Sequence, residues 1–295
     1  MANLQDTVGG YRLRTMLQTG QFSQVYEVVE PQSHRHFAMK LLLPEHARKP
    51  EVRNELFHEA AIGVALRHEN VIHILKVNRD PQFPHFIMEY FPSGSLRTRM
   101  MAKETAFIKE NARKIFKHAA TGLAYMHGSG YVHCDVKPEN FLVNASGDLK
   151  LIDFAITKRI PTGFGKWFYR KAPKAAGTAS YMAPEQILRE RPDPRSDIYS
   201  LGITYYEVLT GRKPFTGKSP QELLQKHFME KAISPQNYDK DITDEMAALI
   251  LKMMAKKKED RPKTCHDVMI ALRKIKIYKS EVIQEEQQGM GMGMG

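Results

Sequence analysis

Lys40 closes the apolar run Phe37-Ala38-Met39. An ammonium group in such surroundings needs an anionic partner, and Glu59, on the helix expected next, can be that partner. Gly20 lies in Leu17-Gln18-Thr19-Gly20-Gln21-Phe22-Ser23-Gln24-Val25-Tyr26, between two strand-like runs. The placement suits an ordinary hairpin turn, and it equally suits a hairpin that lies over phosphates with its backbone N–H groups inward. Polar side chains then gather in His133-Cys134-Asp135-Val136-Lys137-Pro138-Glu139-Asn140, in Leu151-Ile152-Asp153-Phe154-Ala155 and in Ala183-Pro184-Glu185. Cys134 and Cys265 are far apart and show no C-x-x-C spacing, so they support neither a disulfide framework nor a zinc site. His34 and His36 straddle a strand turn without the further ligands a metal would need.

Five short runs with strand character could carry the first of these groups: Tyr11 to Leu17, Val25 to Glu30, Phe37 to Leu43, Val71 to Val77 and Phe86 to Tyr90. One helix, Arg53 to Leu66, interrupts them, with Pro50 just ahead of it. Past the turn Pro92-Ser93-Gly94-Ser95 the periodicity becomes helical, in Phe107 to His127, Ile198 to Leu209, Glu245 to Ala255 and Val268 to Tyr278. A small strand-rich unit thus precedes a larger helical one, and the short turn between them predicts a shared cleft.

The 295 residues are 42% hydrophobic and 26% charged, which excludes disordered and collagen-like classes. Forty-four Lys and Arg against thirty-three Asp and Glu give a net charge of +11, which invites anionic partners without choosing among them. No apolar run approaches the ~18 residues of a membrane span. Met1 to Gly10 lacks the basic and apolar regions of a secretory signal, so a cytoplasmic, reduced chain is expected. The Gly-Met run at 289–295 is expected to be a disordered end.

In order and spacing the motifs resemble those of eukaryotic-like, or Hanks-type, serine/threonine protein kinases of the bacterial type, over residues 11–276. Asp197-Ile198-Tyr199-Ser200-Leu201-Gly202 looks like the family's D-x-x-S-x-G element, and Arg261 like the late arginine that pairs with Glu185. The resemblance implies an α+β, bilobal fold. A small antiparallel N-lobe sheet with one helix (11–91) would precede a mainly helical C-lobe (92–276), with 1–10 as a lead-in and 277–295 as a tail. It implies transfer of the γ-phosphate of ATP, with Mg²⁺ or alternatively Mn²⁺, to Ser/Thr hydroxyls of protein substrates, autophosphorylation included.

Lys40, anchored by Glu59, would hold the α and β phosphates beneath the Gly20 hairpin, whose positions 18 and 23 are Gln18 and Ser23. Asp153 and Asn140 would ligate the metal. Asp135 would accept or orient the hydroxyl proton, Lys137 would neutralise the moving phosphoryl group, and Thr178 would tie the two together. Adenine would lie among Val25, Ala38 and Leu142, against the hinge from Glu89 to Phe91, with Met88 as gatekeeper. Glu139 resembles a position that in many family members attracts basic residues upstream of the target.

Four departures accompany the match. Gln18 and Ser23 replace two glycines, which leaves Gly20 for close approach or positive φ and implies weaker ATP binding. Cys134 replaces the arginine before Asp135, making the chain a non-RD type. A phosphate on Thr157 or Thr162 would then lack a bidentate partner there. Ala155 replaces the third residue of D-F-G, and Gly63 stands where a leucine usually packs on Phe154. A nucleotide-binding scaffold with feeble catalysis is therefore the alternative reading. No nucleic-acid motif accompanies the charge. Lys158, Arg159, Lys166, Arg170, Lys171 and Lys174, with no acid between Asp153 and Glu185, form either a solvated basic loop or a docking surface for acidic substrates. Oligomeric state is left open.

Overall fold

The computed structural model describes residues 7–161 and 177–281. Strands β1 (Thr7–Val8), β2 (Tyr11–Thr19), β3 (Ser23–Val29), β4 (His36–Leu42), β5 (Ile74–Asn78) and β6 (His85–Glu89) form one antiparallel sheet in the order β1-β2-β3-β4-β6-β5. The two-residue period of β4 explains the placement of Lys40. Phe37, Met39 and Leu41 pack on Tyr11, Val28 and Ile87 on one side of the sheet. Ala38 and Lys40 face the other way, into the cleft. Helix α1 (Pro50–Ala65) opens with proline at its first position and buries Val52, Leu56, Glu59, Ala60 and Gly63 on one face. Glu59 is thus carried on the same stripe that packs the helix to the sheet.

The helical lobe begins with β7 (Gly94–Ser95), α2 (Leu96–Met101) and α3 (Thr105–Gly128). Strands β8 (Tyr131–Val132), β9 (Phe141–Val143), β10 (Leu149–Leu151) and β11 (Lys158–Arg159) flank the polar motifs. β9 pairs with both β7 and β10, and β11 pairs with β8. Helices α4 (Pro184–Ile187), α5 (Pro194–Thr210), α6 (Pro220–Met229), α7 (Asp244–Met253) and α8 (Cys265–Lys274) follow. Every residue of α5 from Ser196 to Leu209 is buried, which makes it the lobe's central post. One apolar core runs from Ile62 of α1 and Leu66 just past its end through Val71 and Ile72 into α3, α5, α7 and α8, so the two lobes share it. Among the described residues no helix is long and apolar enough to cross a membrane.

Several helices start three or four residues before the sequence expectation, α1 at Pro50, α5 at Pro194 and α8 at Cys265, and two elements differ in a way that bears on packing. The strand expected from Val71 starts at Ile74, because Val71 and Ile72 are tied to Leu151 of β10 instead. The last helix ends at Lys274 rather than Tyr278. From there the chain turns extended and buries Ile277 and Tyr278, where the Ile277 carbonyl accepts the Thr243 N–H at 3.0 Å.

Gly63, the position lacking the usual leucine, has no room for one. A Cβ there would lie 2.4 Å from Cδ1 of Ile74, so the β5 isoleucine already fills the space. We expect Gly63→Leu to destabilise the fold by about 1–3 kcal/mol through overpacking. Adding Ile74→Ala should recover most of that loss in chemical denaturation, and a Gly63→Leu variant as stable as wild type would refute this packing.

Candidate active site

The turn between β8 and β9 presents Asp135. Its Oδ1 accepts the backbone N–H and the hydroxyl of Thr178, both at 2.9 Å. Its Oδ2 accepts Lys137 Nζ at 2.5 Å and Asn140 Nδ2 at 3.3 Å. Lys137 Nζ also donates to Thr178 Oγ1 at 2.7 Å, closing a three-residue ring. Burial pushes a carboxyl group up, but the Lys137 ammonium more than offsets it, helped by His133 and Thr178, and Asp135 is held below the usual carboxylate range. His133 Nδ1 accepts the Asp135 N–H at 3.2 Å while its Nε2 lies 3.0 Å from the Ile152 carbonyl, so the proton belongs on Nε2.

Buried Asp197 of α5 holds the backbone of this turn. Its Oδ1 accepts the Cys134 N–H and its Oδ2 the His133 N–H, both at 2.8 Å, and His127 Nε2 lies 2.8 Å from Oδ2. Cys134 is thereby held at φ 69°, an unusual conformation for a side chain with a β-carbon. Gln186 Nε2 donates to the Cys134 carbonyl at 2.9 Å from the far side. The thiol is buried and pushed far up by burial, the state of a packed side chain rather than a reactive thiolate.

On the opposite wall Lys40 Nζ lies 2.6 Å from Glu59 Oε2 and 4.0 Å from Asp153 Oδ1. Burial works against the ammonium charge, but Glu59 and Asp153 outweigh it and hold Lys40 above its ordinary range. The residue before Glu59, His58, reaches the segment after Asp153, with Nε2 2.9 Å from the Thr157 carbonyl. Thr157 is buried, and its hydroxyl donates to the His133 carbonyl at 3.3 Å. In this arrangement the Thr157 hydroxyl is turned into the protein and is not presented for phosphorylation. Thr162 and the cations Lys166, Arg170, Lys171 and Lys174 lie outside the described residues.

Between the walls is a cleft of about 570 Å³. It brings together Gln18, Gly20, Ser23, Val25, Ala38, Lys40, Glu59, Met88, Glu89, Phe91, Asn140, Leu142 and Asp153, all singled out in the sequence. Asp135, Lys137 and Thr178 stand outside its lining. Sequence reasoning missed Leu17, Ile72, Ile74 and Phe86, which complete the apolar wall and read as ordinary core residues. The conformational concerns resolve individually. Gly20 does not adopt positive φ; what it provides is closeness, since a Cβ there would lie 3.2 Å from the Ser23 carbonyl. The left-handed residue of the second motif is Asp153, at φ 69°, whereas Ala155 has no positive φ and needs no glycine. Glu185 and Arg261 do meet, in a buried pair at 2.7 and 3.0 Å.

A protein kinase domain matches residues 11–271, and the chain therefore belongs to the protein kinase family. Within that family it resembles bacterial serine/threonine kinases of the Hanks type. It is 31% identical to serine/threonine-protein kinase PknB of Mycobacterium tuberculosis over 275 residues, which cover 92% of this chain and 43% of that protein. It is 34% identical to the probable serine/threonine-protein kinase CPE1738 of Clostridium perfringens, over 90% of this chain and 38% of the other. For the probable serine/threonine-protein kinase SCO3848 of Streptomyces coelicolor the identity is 30%, over 89% and 39%. The chain spans about two fifths of the length of these relatives.

The Asp135–Lys137 contact yields a pH test. Without the ammonium, burial prevails and the Asp135 carboxyl rises. In Lys137→Met the acid limb of the kcat/KM profile should therefore move to higher pH, since that limb reports the free enzyme's essential base. An acid limb that stays in place would detach Asp135 from it.

Proposed function

We propose that the chain transfers the γ-phosphate of ATP to serine or threonine hydroxyls of protein substrates. The observation that carries this reading is that the Lys40–Glu59 pair, Asp153 and Asn140 line one cleft, while Asn140 also bonds Asp135 and so ties the Asp135–Lys137–Thr178 ring to the edge of that cleft. Lys40, anchored by Glu59, would bind the α and β phosphates, with the β2–β3 hairpin above them. Adenine would lie between Val25, Ala38 and Leu142, with Met88 behind it and the backbone from Glu89 to Phe91 at its edge. Asp135 would orient the substrate hydroxyl and take its proton. Lys137 would balance the charge on the phosphoryl oxygens, and Thr178 would keep both side chains in place.

The donor set suits Mg²⁺, and Mn²⁺ by the same chemistry. Asn140 spends its amide nitrogen on the Asp135 carbonyl at 2.8 Å, which leaves its oxygen as the ligand atom, and the Asp153 side chain is 35% exposed. Among the described residues no cluster of three or more His, Cys, Asp or Glu could hold a metal by itself, which favours a cation shared with phosphate oxygens. Held by Asn140 and Asp153, a metal would supply positive charge to offset that of the phosphates. The need for ATP puts the domain in the cytoplasm. Its basic segment, of which Lys158 and Arg159 are described, favours acidic protein substrates.

The domain is of the non-RD type, with Cys134 in the arginine's place. The segment after Asp153 is instead fixed by His58, by the His133 carbonyl and by the β8–β11 pairing, none of which needs a phosphate. Radiolabelled ATP assays with phosphosite mapping should show transfer to Ser or Thr. Lys40→Met and Asp153→Asn should each lose about 10²-fold or more of it, the scale for charge-stabilising groups. Near-wild-type turnover in either folded variant would refute the assignment. Phosphatase treatment should leave the rate nearly unchanged, and a large loss restored by rephosphorylation would contradict clamp-independence.

A further inference from the structure

Glu139 lies between Lys137 and Asn140 on the strip that carries Asp135, lines the cleft, and has a side chain 42% exposed. A carboxylate so close to the transfer site invites a cation from the substrate. In this chain another residue has arrived first. Arg97, in the first turn of α2, donates from Nε to Glu139 Oε1 at 2.8 Å. Its Nη1 and Nη2 grip both oxygens of Glu207 on α5, at 2.9 and 3.0 Å, and Nη2 also meets the Tyr181 hydroxyl. Tyr181 OH donates to Glu207 in turn. The remaining acceptor, Glu139 Oε2, is buried and has no hydrogen-bond partner among the described residues, so it is closed to an incoming side chain as well.

Building on the phosphotransfer reading, we propose that Arg97 is a specificity-determining residue: it occupies the Glu139–Glu207 acidic pair from within and so cancels selection for basic residues near the target hydroxyl.

The argument is one of exchange. A substrate arginine could enter only by displacing a guanidinium that already makes a bidentate, charge-assisted contact and a further ionic hydrogen bond. It would gain at best the bonds that Arg97 gives up. It would also compete with a group tethered in the same chain, whose effective concentration is on the order of millimolar or higher. Arg97 itself would be left with an unpaired charge. Peptides with and without a neighbouring basic residue are therefore treated alike, because discrimination requires a difference in affinity that this exchange does not offer. Removing Arg97 changes that. Glu207, 6% exposed, and Glu139 would share a site with no cation, and a substrate guanidinium would then relieve them.

The test compares wild type with Arg97→Ala on serine peptides that carry Arg or Ala at each position flanking the target. Wild type should discriminate less than about threefold in kcat/KM. Arg97→Ala should prefer Arg at one flanking position by at least about tenfold, the yield of a single charge-assisted contact. Methylguanidine at millimolar concentration should erase that preference by filling the vacated place. If Arg97→Ala fails to fold, Arg97→Lys serves. It keeps the charge but loses the fork, and it should show a smaller preference of the same sign. A wild type that already favours Arg at that position, or a folded variant that acquires no such preference, overturns the proposal. Fluorescence anisotropy with the same peptides needs no turnover. Absence of phosphotransfer would therefore defeat the kinase reading alone, while the binding comparison still decides the role of Arg97.

Discussion

The site depends on one buried carboxylate. Asp197, on the helix enclosed on all sides by the C-lobe core, accepts the N–H groups of His133 and Cys134 and contacts the His127 ring. A non-glycine residue at φ 69° costs about 1–3 kcal/mol and persists only where its surroundings over-determine it. Hydrogen bonds to a charged acceptor contribute about 1.5–3 kcal/mol each, enough to hold the turn against that strain. Gln186 grips the Cys134 carbonyl, and Gly177, at φ 120°, passes so close to it that a Cβ would lie 3.0 Å away. The strained turn is what aims Asp135 at Lys137 and Thr178. A constraint set in the core is thereby read out as the position of the carboxylate proposed to take the substrate proton.

The N-lobe meets this turn through α1. Adjacent residues His58 and Glu59 divide the work, one reaching the Thr157 carbonyl and the other Lys40. The segment from Asp153 to Arg159 is therefore gripped from the N-lobe by His58 and from the C-lobe by His133 and β8. Ile74 fills the place beside Gly63, so α1 keeps its packing without the leucine. These substitutions read as a consistent local solution more than as accumulated damage. Ala155 has no positive φ, and Cys134 packs where an arginine's charge would be buried.

Much of this was legible in the sequence. Lys40 in its apolar strand called for Glu59, and they lie 2.6 Å apart. The motif order pointed to the bilobal architecture and to the polar residues that line the cleft, but not to Leu17, Ile72, Ile74 and Phe86 of its apolar wall. The unread part consists of contacts between segments distant in the chain. Nothing local to Arg97 announces that Glu207, far along on α5, is its partner, and nothing local to His58 points to the Thr157 carbonyl. Backbone conformation was hidden for a similar reason. The left-handed residues are Cys134 and Asp153, whose side chains do not advertise it, while Gly20 and Ala155, which drew attention by type, lack positive φ. Val71 has strand character but is tied to His68 and Leu151 instead, a competition that periodicity cannot resolve.

Asp197→Asn tests the central dependence most directly. It keeps the shape but places an amide N–H₂ against the N–H of His133, the ring of His127 or the N–H of Cys134, donors that a carboxylate accepts together. Nucleotide affinity by calorimetry and turnover by phosphotransfer should be measured on the same folded preparation. The turn lies apart from the proposed adenine slot, so the dissociation constant for ATP should stay within about threefold while kcat falls about 10²-fold or more, the scale for losing a positioned catalytic group. A folded Asp197→Asn protein with near-wild-type kcat would contradict the account, and so would one that loses affinity and turnover in equal measure.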